Sequence, residues 1–455
     1  MASTSFTRLA SANAYDNTLR NLQTRQSDLS KLQENLTSGK RINSAADDPT
    51  AAAQAERAMN RIARIATDQR ALEAQRNAIA LAESTLGNIT DALQNFRELV
   101  VTAGNGAYTA SERTTIAGQL SGMRDQILAL ANTKDSNGLP LFAALGSALA
   151  PFVGPQSTAP DYTFNGLPGQ SASGQYAIPF TLDGEAAFMN QPSRDGVFNV
   201  TVGNSSTGLI PANRSLTTDG VVVSNSATVA STAALAQATA GNPDYPSYAI
   251  TFTALDSTTT PGTTTVTYDI VETPPVSGPG PLVSGATASY PTGGPAKIAV
   301  TGIPGLSFNI NGAPPPSDKD AGVTVVGSPA VGDTINVNFK RSVFSVLDTA
   351  IKDIGKAANA NAATQAVAQA LHNIDISMTR VSAVRGQAGD LLGRADRITS
   401  DNDKRNIEQE GNRSRAEDLD MIKGISDFQN QQTGYSAALQ SYAQVQKLSL
   451  FNFLG

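Results

Sequence analysis

The chain contains no Cys and no Trp, and a single His among its 455 residues. Without Cys there can be no disulfide, thiolate metal site or Cys nucleophile. With His372 alone, neither a His-based zinc site nor a catalytic triad can be assembled, and the HExxH metalloprotease motif is excluded. Apolar runs are short. None approaches the roughly 18 residues needed to cross a bilayer, and the opening MASTSFTRLASANAYDN lacks the continuous apolar core of a secretory signal peptide. The net charge is −6 and no basic tract could neutralise a phosphate backbone, so nucleic acid is not an expected partner. Proline is nearly missing from the flanks: of 23 Pro, only Pro49 and Pro140 lie outside the stretch from Pro151 to Pro329. Because Pro removes a backbone donor and breaks helix interiors, the flanks are free to form long helices and the middle is not.

The flanks do carry helical spacing. Ile65, Leu72, Ile79, Leu86, Leu93 and Val100 recur every seven residues, with Ala82, Ile89 and Phe96 three positions behind the later ones. Val367, Leu371, Ile374, Met378 and Val381 recur at four-three spacing and continue through Ala388, Leu392 and Ala395. A period near 3.5 keeps one apolar seam facing partner helices. From Gly146 to Thr334 the pattern changes to short alternating runs at Phe198 to Val202, Tyr248 to Phe252 and Val266 to Val271, with a further run at Ile335 to Phe339. These predict β-strands, and the tracts Thr258 to Thr260 and Thr263 to Thr265 are expected on edge strands. The expected fold is mainly α: an elongated helical bundle or coiled coil built from the N- and C-terminal segments, with an inserted β-rich surface domain.

Three segments follow from this pattern. Residues 1–44 with 416–455 form terminal helices, 45–145 with 340–415 an outer helical bundle, and 146–339 the β-rich insert. A first helix is expected over about Ser11 to Ser38, with Leu19, Leu22, Leu29, Leu32 and Leu36 on one side. Gly39 suits the left-handed position past its end, and Lys40 and Arg41 complement its dipole. Asp48 is the expected N-cap of a second helix with Pro49 at its first position, running to about Ala103. A third shows Ile116, Leu120, Met123, Ile127 and Leu130, then a turn at Asp135 to Gly138; Phe344, Leu347, Ile351 and Ile354 begin the return. On the C side the terminal seam comprises Leu419, Ile422, Phe428, Tyr435, Leu439, Tyr442 and Leu448. Gly39 and Gly411 are expected at one height, as a hinge between inner and outer bundles. Two isolated helices of this size bury little, so they should fold firmly only when other chains supply the missing faces.

Two stretches carry a family resemblance. Leu36 to Ala55, LTSGKRINSAADDPTAAAQA, resembles the hinge of the bacterial flagellin superfamily, and Leu93 to Val101, LQNFRELVV, followed by Gly104, Asn105, Gly106 and Ser111, Glu112, Arg113, resembles its second conserved stretch. Within the superfamily, the Asp47, Asp48, Pro49 form and the ending LSLFNFLG resemble the members that join hook to filament rather than filament flagellins. The resemblance covers roughly residues 1–145 and 340–455; Leu139 to Ala144 departs from it, where the family more often has a Gly soon after the Phe. It implies export through the flagellar type III apparatus without a cleaved signal peptide, and an extracellular place in the flagellum. It also implies polymerisation through the terminal helices. The implied partners are other copies of the chain, hook-associated protein 1, flagellin, and an export chaperone at the C-terminal helix.

Each sharper chemical reading has a plainer rival. Asp47 and Asp48 read as capping residues before Pro49 rather than metal ligands, since no carboxylate or His cluster accompanies them. His372 reads as a partly solvated flank of the seam. Asn199, Asn204 and Asn213 each begin an N-x-S/T triplet of a kind that arises by chance in Ser/Thr-rich sequence. The charge run from Asp401 to Asp420 is either a solvated face or a contact with Lys40 and Arg41. A structural assembly role accounts for the seams, and an enzymatic one with a catalytic site or cofactor accounts for none of them. A filament flagellin is the structural alternative, and an adhesin or glycan-binding role for the insert is the other.

Overall fold

The computed structural model describes residues 3–157, 161–171, 174–211, 214–239, 245–312 and 329–454, with side chains between 16 and 444. The helices are α1 (Ser3–Ser38), α2 (Pro49–Ala103), α3 (Ala110–Ala131), α4 (Gly184–Phe188), α5 (Pro192–Asp195), α6 (Ser226–Ala238), α7 (Val343–Gly355), α8 (Ala360–Glu417) and α9 (Met421–Leu454). The strands are β1 (Phe152–Val153), β2 (Thr163–Phe164), β3 (Phe198–Asn204), β4 (Leu216–Thr218), β5 (Val222–Val223), β6 (Ser247–Asp256), β7 (Thr263–Thr273), β8 (Val283–Pro291), β9 (Ala296–Val300), β10 (Leu306–Gly312) and β11 (Asp333–Phe339). The chain divides into two compact units, Met1–Ala71 with Arg397–Gly455, and Leu72–Asp396. α1 begins eight residues earlier than the leucine spacing suggests, because neither Gly nor Pro interrupts the sequence from Ser3 to Ser38.

In the second unit α2 and α8 run antiparallel, with the heptad positions inside. Leu72, Ile79, Leu86, Leu93, Val100, Ile89 and Phe96 are all buried, as are Ile374, Val381, Ala388 and Ala395. Ion pairs on the flanks fix the register: Arg76 with Asp396 at 3.1 Å, Glu83 with Arg385 at 2.7 Å and Arg97 with Asp375 at 2.7 Å. Gly87 leaves room for the Arg385 guanidinium to lie across α2. α3 starts at Ala110, earlier than Ile116, on a capping box in which Thr109 and Glu112 satisfy each other's backbone N–H. The turn after it forms as expected: Asp135 Oδ1 accepts from the N–H groups of Asn137 and Leu139, both at 2.8 Å, and Gly138 has φ +80°.

The insert is not one β-domain. Its first part packs on the helices, where Phe152, Tyr162 and Phe188 surround Phe344 of α7 through ring contacts of 5.4–5.8 Å, and Phe142 packs edge-on against Phe188 at 5.5 Å. Buried Arg124 of α3 joins this cluster, donating to the Tyr162 hydroxyl at 2.8 Å and pairing with Asp348 of α7. The β-core begins only at Phe198. A five-stranded antiparallel sheet, β3-β11-β6-β7-β8, packs with a smaller one around β10, and Ile250, Phe252, Tyr268, Ile270, Ile310, Ile335 and Val337 form the common core. The four alternating runs lie within β3, β6, β7 and β11. The Thr tracts do not form edges: Thr263 to Thr265 open β7, an interior strand between β6 and β8, and Thr258 to Thr260 lie in the preceding turn, where Asp256 accepts their N–H groups.

A polar stripe along α8, which apolar spacing does not reveal, holds one edge of each sheet, β3 and β4. Asn361, Gln365, Gln369 and Asn373 recur every four residues. Asn361 accepts from Leu216 N–H at 2.9 Å and donates to its carbonyl at 3.0 Å. Gln365 accepts from Thr218 N–H at 2.8 Å and donates to the Val200 carbonyl at 3.2 Å and the Thr218 hydroxyl at 2.6 Å. Gln369 donates to the Asp219 carbonyl, and Asn373 to that of Phe198. Four helical residues rise about 6 Å and two strand residues about 6.6 Å, so the amides keep step with alternate residues of β4 as an added strand would. His372, half-buried as a partly solvated flank would be, joins this contact: its Nε2 lies 3.3 Å from the Val221 carbonyl oxygen, and its ring packs where a Cβ on Gly220 would sit.

Candidate assembly site

Within the first unit, α1 and α9 lie antiparallel. Leu36 faces Gly424, Arg25 faces Gly434, and Leu22 lines the same groove as Ala438 and Ser441. The expected α1 residues Leu19, Leu22, Leu29, Leu32 and Leu36 are all half-buried, while most of the helix is exposed. On α9 the matching stripe is Gly424, Phe428, Gln431, Tyr435, Ala438 and Tyr442, which recur at three and four residues. A Cβ on Gly424 would come within 2.9 Å of Leu419 Cδ2 and 3.2 Å of Leu36 Cδ2, so the absent side chain sets how closely the chains approach there. Gly424 and Gly434 are the contact residues that reading apolar positions alone misses; glycines kept inside a helix, where they cost about 1 kcal/mol each, were the available signal.

Two expected seam residues fall elsewhere. Ile422 is 85% exposed and Leu439 43% exposed, because each points away from the α1 side of α9. Met421 and Ile425, at 45% and 47%, extend this uncovered apolar surface. Leu448 lies outside the described side chains.

The junction beside this pair is built from residues 38–48 and 414–423. Gly39 takes φ +70°, the left-handed conformation that stops α1, and its carbonyl accepts from Leu419 N–H at 3.0 Å. Arg41 donates its backbone N–H to the Glu417 carbonyl at 2.7 Å and its Nη2 to the Ala416 carbonyl at 2.9 Å, satisfying the free end of α8. Its Nη1 lies 3.4 Å from Asp48, and Lys40 pairs with Glu417. The charge run therefore meets Lys40 and Arg41 at its C-terminal end. Gly411 is not part of this break. It lies inside α8, whose hydrogen-bonded ladder continues to Glu417, since a helix tolerates a single Gly whose neighbours are good helix formers. The turn opposite Gly39 is Asp418 to Asp420, where Asp420 Oδ1 caps α9 by accepting from Ile422 and Lys423 N–H at 3.1 and 3.2 Å.

Asp48 caps α2, its Oδ1 accepting from Ala51 N–H at 3.1 Å, Thr50 N–H at 3.2 Å and the Thr50 hydroxyl at 2.7 Å, with Pro49 next in the helix. These bonds to Ala51 and Thr50 hold its pKa below the usual carboxylate range. Asp47 has a different task. It accepts from Asn43 and Ser44 N–H at 3.2 and 3.0 Å and from Lys31 of α1 at 2.8 Å, and the Lys31 bond first, then the Ser44 amide, draws its pKa down to about 2. The bonds here are made by backbone amides and carbonyls, the Thr50 hydroxyl and paired charges. The arrangement holds four helix ends together, the C-termini of α1 and α8 and the N-termini of α2 and α9.

Residues 10–146 match the family model for the bacterial flagellin N-terminal helical region. This segment is similar to the N-terminal helical region of bacterial flagellins. The chain is 34% identical over 153 residues to flagellar hook-associated protein 3 of Salmonella typhimurium and, equally, to that of Escherichia coli, covering 32% of this chain and 46% of each relative. It thus spans about half the length of these relatives. A flagellin of Proteus mirabilis is 33% identical over 143 residues, 30% of this chain and 38% of the relative. In fold, the chain is similar to flagellar hook-associated protein 3 of Legionella pneumophila (TM-score 0.55, 23% identity, 78% of this chain and 97% of that one). It is also similar to Xanthomonas campestris FlgL (TM-score 0.53, 20% identity, 79% and 99%). The junction just described lies within the matched flagellin region on its N-terminal side.

Proposed function

We propose that this chain is an axial structural protein of the bacterial flagellum, an adaptor that joins hook-associated protein 1 to the flagellin filament through its terminal helices. The observation that carries this reading is the uncovered apolar surface of α9 at Met421, Ile422, Ile425 and Leu439, on a helix whose other side is already committed to α1. A helix pair with one seam filled and a second open is suited to lateral assembly with copies of itself and with related chains. The division is inner helices at 1–44 and 416–455, helical bundle at 45–145 and 340–415, and surface domain in between; an export chaperone would cover the C-terminal helix before assembly. The similarity to hook-associated protein 3 favours the junction, and the comparable identity to filament flagellins keeps the filament as the second reading. Immunogold labelling separates them: a single band between hook and filament supports the adaptor, and label along the filament overturns it.

A further inference from the structure

A groove of about 590 Å³ opens in the second unit between residues 162–168, the short helices α4 and α5, and α6. This is within the range of small-molecule sites, roughly 300–1,000 Å³. α6 turns one stripe toward it, Ala230, Ala233, Ala234 and Gln237, while its other side buries Val229, Thr232 and Ala236 in the β-core. Methyl-sized side chains there leave the space open. Across from them, the half-buried rings of Phe164 and Phe339 contribute apolar faces, each held by a neighbouring ring, Phe152 at 5.2 Å and Phe198 at 5.6 Å.

The polar groups on the wall are mostly neutral. Gln237 and Gln191 are exposed amides, and Gln191 Nε2 stands 3.5 Å from Glu185 Oε1. Asn190 is 7% exposed and rigidly placed, its N–H donating to the Arg341 carbonyl at 2.6 Å and its Nδ2 to that of Lys340 at 2.9 Å. Its Oδ1 has no hydrogen-bond partner among the described residues. That oxygen is shielded from solvent, so the accessible polar groups are the Gln191 and Gln237 amides and the half-buried Glu185 carboxylate, which together can pair with ligand hydroxyls. Two ring faces and an alanine stripe favour a ligand with an apolar face as well. Among the described lining residues Arg341 is the one cation, and a single guanidinium opposed by Glu185 disfavours phosphates.

We propose that this groove binds a neutral saccharide, with a pyranose C–H face on Phe164 or Phe339 and hydroxyls on Glu185, Gln191 and Gln237. This activity is separate from the assembly role and could hold or fail without it. The test is saturation-transfer NMR on the full chain with a panel of neutral disaccharides, repeated on Ala234→Trp, which fills the groove from an exposed position on α6. We expect transfer to sugar ring protons at roughly millimolar affinity, and at least tenfold weaker binding in A234W at unchanged melting temperature. Should A234W melt earlier, Gln237→Ala answers the same question through a several-fold loss. Absence of transfer from every neutral sugar overturns the proposal. So does equal binding in a well-folded A234W, or competition by short peptides and not by sugars.

Discussion

Replacing Gln365 with Leu removes three hydrogen bonds from the edge of the β-core without changing side-chain volume much. The amide sits nine-tenths buried between two sheet edges, accepting from Thr218 N–H and donating to the Val200 carbonyl and the Thr218 hydroxyl. The hydroxyl retains Gln369 Nε2 at 3.3 Å, but the two backbone groups lose their partners. A buried backbone group left unsatisfied costs about 1–3 kcal/mol, so two cost about 2–6 kcal/mol. Burial of the Leu side chain returns about 1.5 kcal/mol, leaving a net loss of about 0.5–4.5 kcal/mol. At about 1.4 kcal/mol per factor of ten, exchange of the Thr218 amide should accelerate by more than about twofold and up to roughly a thousandfold if it opens with the β-core. Hydrogen exchange read by NMR measures this directly, with exposed Thr364→Ala on the same helix as the control that should change little. Thr218 exchange in Q365L within a factor of about two of the native rate would refute the view that α8 acts as an added strand.

Other outcomes follow from the same contacts. Excising residues 198–339 and joining Val197 to Lys340 through a short Gly linker should leave a folded helical protein, because Lys340 N–H already donates to the Val197 carbonyl at 2.9 Å; loss of a cooperative melt would refute it. A deletion from Gly146 to Asp333 should fare worse by several kcal/mol, since it strips Phe152, Tyr162 and Phe188 from Phe344. Gly424→Val should weaken α1–α9 packing by about 1–3 kcal/mol, seen as lost exchange protection over 424–442, because its side chain collides with Leu419 and Leu36. The Asp47 carboxyl is depressed in the folded chain. Its contribution is therefore fully present above the unfolded value of roughly 4 and is lost as pH falls toward about 2. Lys31→Met should move an NMR-titrated Asp47 back up, and no movement would show that the backbone amides alone set it.

How far the sequence could be read depended on which interactions make each element. Heptad positions such as Leu72, Ile79 and Leu93 are buried by an apolar rule that depends on spacing alone, and they lie where spacing puts them. The Asp48 and Pro49 start and the Gly39 stop rest on equally local backbone chemistry. What was not legible comes from distant partners. Gly411 has the composition of a break, but helical neighbours on both sides outweigh one glycine, and the turn falls where Leu419 N–H finds the Gly39 carbonyl. The α8 amide stripe has helical period but no apolar signature, so it reads as a solvated face until β3 and β4 are beside it.

The two unpaired surfaces a helix can meet are treated in opposite ways along this chain. Sheet edges at β3 and β4, which would otherwise offer free N–H and C=O groups to other chains, are closed internally by Asn361, Gln365, Gln369 and Asn373. The apolar side of α9 is left open at Ile422, Ile425 and Leu439. Under the proposed assembly role, association is expected on the α9 surface rather than on these two sheet edges. Ile422→Asp is therefore the sharpest assembly variant. At 85% exposure the substitution should leave the isolated chain's helicity and melting unchanged. If neighbours cover the face in the polymer, each subunit loses about 1.5–3 kcal/mol of burial and must desolvate a carboxylate besides. Export into the medium with hooks that bear no filaments is the expected phenotype, and Leu439→Asp should reproduce it. Full-length filaments at normal frequency in both variants would show that assembly uses another surface.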